Sequence, residues 1–579
     1  MWKRLSVLSL VAALALTACQ PATRPTTPDQ SGQAAQALRS AAQSETRTIT
    51  IGVRYEADGL AKKATTARGV NATIRLFNAG LTLMDGKGAI QPYLLESLPA
   101  LNSDTWRVAP DGKMEVTYRL RDRLTWHDGT PLVAEDFAFA YEAYTAPGLG
   151  LFVPRPQNFM ESVEARDART FVIRWNRTYP GAAEFDAGDF EPLPRHILGD
   201  AFREFKRDPV AGQDALRNHR YWTQEFVGAG PYKLDQWSPG TEIIGVAFDG
   251  HALGRPKIDR VIVRIVSDEN AALSSLLAES LDLATEFTLR YEHAQVLQND
   301  WNTSKRGVAL LDKGSFNYVM TQFRPEYQKT PGLLDVRVRR ALAHAIDRQS
   351  LNEGLFDGQG FMVESLIPSD ERYFAQLDRS IAHYPYDPRR TEQLMVEAGF
   401  VRGASGSFAS PTGERFQPEN WSIQGPLFER EQAILAESWA RAGIESTARI
   451  QSPTLLRDNE AAVTFSGLSS RVLGGGESNL SMFASAQIGS PVNRWVGNNR
   501  GGWASPEFDQ AYELFDTTLD RAERDRHVIS MLQVTSDQLP VYPIYFNIEV
   551  LGHLSKVRGP AVGAISRLPL WNIHEWEIK

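Results

Sequence analysis

Along most of the chain, the spacing of apolar residues changes between the two-residue period of strands and the longer period of helices. Between residues 114 and 120 apolar and polar side chains alternate, which is typical of a strand with one buried face. Phe137, Tyr141 and Tyr144 then recur at helical spacing. Asp128-Gly129, between the two patterns, favours a tight turn because glycine adopts positive φ at little cost. The sequence therefore predicts a strand, a turn and a helix in this order.

The same two patterns recur further along the chain. Segments 48–55, 258–266 and 316–323 are rich in alternating or β-branched apolar residues and are predicted strands. Helices are predicted after Asp335 and Asp387, whose side chains favour the N-cap position. Alternation of strands with helices predicts an α/β fold, in which helices cover the faces of a sheet.

The first 47 residues differ in composition from the rest of the chain. Lys3-Arg4 precede an apolar run at residues 5–16 that is too short to span a bilayer. The run ends in LTAC, which resembles a bacterial lipobox and implies cleavage before Cys19 and lipidation of that cysteine. An ordinary secretory signal with an incidental cysteine is the alternative. Residues 20–47 are mostly Pro, Thr, Gln, Ala and Ser, and we expect a flexible tether there.

Composition narrows the class of protein. The chain has 579 residues, which suggests three or four units at about 150 residues per domain. Cys19 is its single cysteine, so the fold must be stabilised by its core and not by intramolecular disulfides. The net charge of −8 argues against a nucleic-acid-binding surface.

The sequence contains no recognised catalytic or metal-binding motif. HExxH and GxSxG are absent, and the ten histidines fall at no known metal-ligand spacing. The HDGT segment at residues 127–130 is interpreted as a turn, because adjacent residues do not face one another on a regular element. We therefore expect binding without catalysis, with no cofactor and no metal ion.

Several segments, in order, resemble one family of transport proteins. They are HDGT at 127–130 with the helix that follows, VGAGPYKL at 227–234, DVRVRRALAHAIDR at 335–348, SPEFD at 505–509 and LPVYPIYF at 539–546. Together they resemble family 5 of the extracellular solute-binding proteins of ABC importers, which includes oligopeptide-, dipeptide- and nickel-binding proteins. One departure is Val133, where the family often has the Thr or Ser that caps the next helix.

This resemblance implies a fold, a location and partners. The implied fold is α/β, two-lobed and periplasmic-binding-protein-like, of type II in the large cluster that has an extra subdomain in lobe one. Lobe one would comprise residues 48–313, with the subdomain at about 76–223, lobe two residues 314–532, and residues 533–579 would return to lobe one. A hinge would join the lobes. The protein would be a monomer, anchored outside the cytoplasm by lipid at Cys19, or in the periplasm if the source is Gram-negative, and would deliver solute to an ABC permease and its ATPase.

The resemblance also indicates where a solute would bind. The positions that it places around the cleft between the lobes are Glu56, Trp421, Ser422, Gly467, Arg494, Trp495 and Trp503. The tryptophans are suitable platforms for a ligand, although burial in a lobe core explains aromatic residues equally well. Arg494 could hold a carboxylate through two parallel hydrogen bonds.

The most informative departure from the family lies after Gly467. Counting forward, Arg471 stands where peptide-binding relatives have the acid that pairs with the amino terminus of the ligand. Counting backward from Asn479, the nearest acid is Glu477, which follows three glycines. If Glu477 faces the cleft, a peptide or another cationic ligand is expected, and if Arg471 does, the ligand is anionic there. A third interpretation is that both are solvent-exposed loop charges.

We therefore expect a binding protein whose solute is a peptide. Alternative solutes are an anionic small molecule, a sugar or a metal complex. The competing functions are a lipoprotein hydrolase and a receptor that serves a signalling or chaperone partner instead of a permease.

Overall fold

The computed structural model describes residues 46–61, 70–148, 156–186, 188–285, 287–452, 455, 458–561 and 570–579. The predicted signal peptide, Cys19 and nearly all of the predicted tether lie outside the described residues. Among the described helices, none has both the length and the apolar character needed to cross a membrane.

Strands and short helices follow one another along the described chain. The strands are β1 Thr48–Val53, β2 Thr82–Met84, β3 Ile90–Pro92, β4 Trp106–Val108, β5 Met114–Arg119, β6 Met160–Ala165, β7 Thr170–Trp175, β8 Tyr232–Ser238, β9 Glu242–Ala247, β10 Arg260–Ile265, β11 Leu283–Ala284, β12 Gly307–Thr321, β13 Phe361–Met362, β14 Val401–Arg402, β15 Phe408–Ala409, β16 Glu419–Ile423, β17 Thr447–Gln451, β18 Leu468–Leu473, β19 Val541–Leu554, β20 Val557–Arg558 and β21 Glu577–Ile578. The helices are α1 Val70–Phe77, α2 Ala134–Thr145, α3 Arg195–Arg207, α4 Pro209–Arg217, α5 Glu269–Leu277, α6 Tyr291–Ser304, α7 Val336–His344, α8 Arg348–Phe356, α9 Phe374–Asp378, α10 Pro388–Glu397, α11 Pro426–Arg441, α12 Asn459–Val463, α13 Pro506–Thr517 and α14 Arg521–Gln538.

One large mixed sheet runs through both halves of the protein. Its strands lie in the order β17-β16-β18-β12-β19-β11-β1-β10-β9-β8, and β13 pairs with β19 beside this path. A separate antiparallel sheet, β4-β5-β7-β6, belongs to the region predicted as a subdomain. Helix α2 packs on this smaller sheet, where the rings of Phe137 and Phe171 stack 4.7 Å apart. This is the α/β architecture that the alternating sequence pattern predicts.

The two longest strands, β12 and β19, connect the halves of the large sheet. Residues 307–313 of β12 pair with residues 548–554 of β19, and residues 316–320 pair with residues 541–546. The register shifts between these two paired regions, and again between Asn317 and Tyr318 within the second region. Strand β11 pairs with β19 on one side of the shift, and β18 pairs with β12 on the other. We call the strands on the β11 side of the shift between Lys313 and Phe316, with their helices, lobe one, and the strands on the β18 side, with their helices, lobe two.

The predicted turn at residues 127–130 is joined to the glycine-rich segment 227–234. His127 accepts a hydrogen bond from the Gly228 amide at its Nδ1 (3.1 Å) and donates from Nε2 to the Gly230 carbonyl (3.0 Å). Burial lowers the pKa of His127 to about 4, so the ring is neutral and suited to one donated and one accepted bond. The two resembling motifs thus form one structural unit.

Helix α2 also shows how the chain compensates for Val133. The Asp136 carboxylate accepts a hydrogen bond from the Val133 amide (3.0 Å) and another from the Trp126 indole (3.0 Å). The acid three residues into the helix thereby fixes its first turn without a Ser or Thr cap.

The backbone around Gly230 leaves no room for a side chain. An added Cβ would lie 2.5 Å from the Phe77 carbonyl carbon and 2.6 Å from the Asn78 amide nitrogen, so the backbone would have to move. We expect Gly230→Ala to lower the free energy of unfolding by about 1–3 kcal/mol, measured by urea denaturation. Gly199→Ala is the matched control, because a Cβ there would lie 3.5 Å or more from its neighbours. Equal stability of the two variants would contradict this packing.

Candidate functional site

The directions of the strands indicate a candidate cleft beside the first point at which the pairing of β12 with β19 changes register, between Lys313 and Phe316. Strand β11 is antiparallel to β19 and parallel to β1, so the carboxyl end of β1 points toward this region from lobe one. Strand β18 is antiparallel to β12 and ends at Leu473, opposite Phe316, so its carboxyl end points there from lobe two. In open α/β sheets, ligands bind outside the carboxyl ends of the strands. The loops after β1 and β18 are therefore the candidate walls of a site.

A buried polar network fixes the lobe-two side of the connecting strands. The side-chain amide of Asn547 donates to Ser315 and to Asn317, and the amide of Asn317 donates to Glu431 (2.8 Å). The Tyr545 hydroxyl also donates to Glu431 (2.7 Å). Complete burial raises the pKa of Glu431. Both strands are thereby tied to helix α11 immediately after the register shift.

Two acids face each other on the lobe-one side of the shift. Asp312 and Glu549 lie directly opposite one another in the pairing of β12 with β19. Burial, and then the charge of Asp312, raise the pKa of Glu549 to about 7. This pair was not among the sequence-based candidates, and the one available signal was an acid within the otherwise apolar segment at residues 548–551.

In lobe one, Glu56 is engaged by other parts of the protein. Its carboxylate accepts hydrogen bonds from the Trp237 indole (2.9 Å) and the Gly240 amide (2.9 Å). These contacts attach the loop after β1 to the turn between β8 and β9. Glu56 is half-buried and lies in the loop where the resemblance places it, but its hydrogen-bonding capacity is directed toward its own lobe.

In lobe two, Trp421, Ser422 and Gly467 lie on or beside neighbouring strands. The Trp421 ring packs in the core with the Arg449 guanidinium above it, 4.4 Å from the ring centre. Ser422 is 2% exposed, and its hydroxyl has no hydrogen-bond partner in the described structure. Gly467 lies so close to β16 that a Cβ would be 2.9 Å from the Glu419 carbonyl oxygen.

Arg471 is a buried cation with few partners. Its side chain projects from β18 opposite Tyr318 of β12, and the residue is 8% exposed. One nitrogen donates to the Ala462 carbonyl (2.9 Å), whereas the buried Nε has no partner in the described part of the chain. Burial, and then the neighbouring charge of Arg500, lower the pKa of Arg471 to about 10.

Glu477, the alternative ligand partner, is already paired with cations of its own lobe. Its carboxylate contacts Arg521 (3.0 Å) and Arg372 (3.5 Å). Arg372 also pairs with Asp525, and the side chain of Glu477 is 14% exposed. Its negative charge is thus balanced by two guanidinium groups of lobe two.

The remaining candidates, in the loop before α13, lie in different environments. Arg494 is exposed and has positive φ (55°). Trp495 lies with its ring edge toward Tyr327, at 6.4 Å between ring centres. Trp503 is 4% exposed in the core of lobe two and donates to the Gln538 side chain (3.1 Å).

The structure thus brings Trp421, Gly467 and Arg471 together on adjacent strands, and Glu56 lies across in the other lobe. Arg500 lies near Arg471: Arg471 donates to the Ala462 carbonyl, and Arg324 donates both to the next carbonyl, that of Val463 (3.4 Å), and to that of Arg500 (2.7 Å). Arg500 was missed because only the fold brings the two together. The ligand-binding roles of the sequence-based candidates remain predictions.

The lobes also contact each other away from the connecting strands. Arg177, over the ring of Phe159 in lobe one, pairs with Glu513 (3.0 Å) and Asp516 (3.6 Å) of α13 in lobe two. Elsewhere, helix α6 contacts lobe two through the ion pair of Glu292 with Arg430 and the hydrogen bond of Gln295 with Asp357 (2.7 Å). We call the Arg177 contact the rim contact. No group of three potential metal ligands occurs among the residues that the structure describes.

Comparison with known sequences gives one family. The family model described as bacterial extracellular solute-binding proteins, family 5 Middle, matches residues 96–490. The oligopeptide-binding protein AppA of Bacillus subtilis is 24% identical over 378 residues, an alignment that spans 64% of this chain and 63% of AppA. The match therefore covers less than two thirds of the length of that relative.

Comparison with solved structures extends over nearly the whole chain. NikZ from Campylobacter jejuni, in complex with Ni(L-His), has a TM-score of 0.72 at 22% identity and covers 92% of this chain and 100% of its own. The oligopeptide-binding protein from Thermus thermophilus, complexed with a pentapeptide, has a TM-score of 0.72 at 21% identity and covers 92% of this chain and 96% of its own. The prediction of a two-lobed α/β solute-binding fold is thereby confirmed.

Glu549 should make stability depend on pH. Because its pKa is about 7 in the folded protein, against an ordinary 4.5, the folded state keeps a proton that the unfolded chain loses. Its contribution to the free energy of unfolding should fall as pH rises from about 4.5 to about 7, and then level off. In urea unfolding at pH 5 and pH 8, we expect Glu549→Gln to lose this part of the pH dependence.

Glu326→Gln, at an exposed position, serves as the matched control and should keep the pH dependence of the parent protein. An unchanged pH dependence in Glu549→Gln would show that this carboxyl group ionises normally.

Proposed function

Because this chain belongs to family 5 of the bacterial extracellular solute-binding proteins, we propose that it captures one solute between its two lobes and delivers it to an ABC permease. The observation that carries the proposal is the connection by β12 and β19, whose pairing changes register between the lobes. A change of register leaves residues that can absorb a rotation while the paired regions on either side stay intact.

The proposed mechanism is closure about this hinge. A solute that touches both lobes only in the closed form shifts the population of the protein toward that form. The hinge would lie between Lys313 and Phe316 in β12 and near Asn547 in β19. We propose to keep the boundary after residue 313 that the sequence predicts. We also propose that the return to lobe one lies near residue 547 instead of 533, because residues 541–546 pair with the lobe-two half of β12.

Peptides are the first class of solute to consider. AppA is an oligopeptide-binding protein, and the Thermus thermophilus structure contains a pentapeptide. NikZ with Ni(L-His) supports keeping a metal complex among the alternatives, together with a sugar or an anionic small molecule. A hydrolase would be distinguished by turnover, since a binding protein returns its solute unaltered.

We propose that the protein acts outside the cytoplasm and is held to the membrane by lipid on Cys19. The LTAC segment supports lipidation, and the polar composition of residues 20–47 supports a tether that gives the lobes freedom above the membrane. Its partners would be the permease with its ATPase, and we propose a monomer that contacts no nucleic acid.

The test of the proposal combines native mass spectrometry with small-angle scattering. The form lacking residues 1–19 is purified from its host, and any bound solute is released by gentle denaturation and identified. We expect one solute per chain, unaltered after incubation, and a smaller radius of gyration with solute than without it. Chemical conversion of the solute, or an unchanged radius at saturation, would contradict the proposal.

The rim contact should slow the loss of solute. Arg177→Ala removes a partly exposed ion pair between the lobes, a class of contact that typically stabilises by about 0.2–1 kcal/mol. We expect solute to dissociate up to about fivefold faster, measured by native mass spectrometry at intervals during dialysis. Arg203→Ala, which disrupts a more exposed ion pair within lobe one, is the control and should leave the rate unchanged.

A further inference from the structure

We propose that Arg471 and Arg500 form a binding site for a carboxylate group of the solute. This inference rests on the proposed function, because it assigns a chemical class to the solute bound between the lobes. The sequence left open whether the solute group bound here is cationic or anionic, and this inference selects the anionic alternative.

Arg471 is a buried cation without an anionic partner in the described structure. Arg471 is 8% exposed, and its buried Nε has no hydrogen-bond partner within the described residues. Buried charges in proteins are normally paired, because removal from water without a partner is costly. In the described structure, no carboxylate lies within ion-pair distance of Arg471 or of Arg500. A second positive charge beside the first increases the cost.

The acids of the neighbouring segments are already neutralised by other groups of lobe two. Glu477 is balanced by Arg521 and Arg372, as described above. Glu419 accepts hydrogen bonds from Ser466 and from the Trp421 indole, and pairs with Arg449 at 3.6 Å. Neither of these acids is therefore left to compensate Arg471, and an anionic solute group would do so.

Arg471 lies near the candidate cleft. Its Cα is two residues before the carboxyl end of β18, or about 7 Å along the strand. Strand β16 pairs with β18 only at Asn420 and Trp421. Beyond these residues β16 and β18 do not pair with each other, so the edge of β18 beside Arg471 is open toward the candidate cleft.

The chemistry of the group follows from the two guanidinium ions. A guanidinium presents parallel N–H donors that match the two oxygens of a carboxylate, and two such ions can share one anion. A cationic group would be repelled by both charges, and a neutral group would leave them uncompensated. The carboxylate could be the C-terminus of a peptide or part of a small organic acid.

The test uses three probes: trialanine, trialanine amide and succinate. Each is titrated calorimetrically into the form lacking residues 1–19, after dialysis has removed co-purified solute, and into the variants Arg471→Met and Arg526→Met. Arg526 pairs with Glu523 on the exposed face of α14, so its variant controls for the loss of a positive charge in lobe two.

We expect at least one carboxylate probe to bind, with affinity at least about tenfold lower in Arg471→Met and unchanged in Arg526→Met. Binding of trialanine but not its amide would identify a peptide C-terminus as the source, and binding of succinate a small organic acid. Equal binding of trialanine and its amide, binding that Arg471→Met leaves intact, or no binding of either carboxylate would overturn the proposal.

Thermal unfolding without solute provides an independent readout. If Arg471 is held unpaired for a solute, Arg471→Met should raise the melting temperature, because a buried charge is replaced by an apolar side chain of similar length. A lower melting temperature would mean that Arg471 is a structural residue and would overturn the proposal. Solute-dependent compaction in scattering that Arg471→Met does not change would leave the proposed receptor function standing and refute the carboxylate site alone.

Discussion

The pairing of β12 with β19 is the contact on which the arrangement of the two lobes depends. In the large sheet, every strand of lobe one reaches lobe two through this pair. Hydrogen bonds from Asn317 and Tyr545 to Glu431 tie the pair to helix α11 on the lobe-two side. Under the proposed closure, rotation would be confined to a few residues at the register shift, and the loops at the carboxyl ends of β1 and β18 would lie beside them.

Much of this fold is predictable from sequence, because it depends on local patterns. The alternation at residues 114–120 identifies a strand that the structure contains. The N-caps at Asp335 and Asp387 identify two of its helices. The segments that resemble the family are also local, and their order along the chain is what predicts the two-lobed fold. The motifs at residues 127–130 and 227–234 can each be recognised in the sequence, but the contact between them is seen only in the structure.

The environment of the candidate site could not be predicted in the same way. Glu56 bonds to Trp237 and Gly240, far away in sequence, and no spacing indicates that such partners meet. Likewise, Arg500 and Arg471 become neighbours only when the loop before α13 packs against the end of β12, where a Cβ on Gly501 would clash with the Thr321 carbonyl oxygen. The sign of the charge that a solute meets depends on which acids and arginines pair first within each lobe. That is a property of the tertiary structure and not of a motif.

The rim contact has a consequence for how the protein would release a bound solute. It consists of a partly exposed guanidinium facing two carboxylates at the edge of lobe two, where water and salt screen the attraction. Under the proposed closure, such a contact would prolong the closed form without making it irreversible. A docking partner that offered competing charges to Arg177 or α13 could open the lobes at small energetic cost, so release would not require unfolding of any part of either lobe.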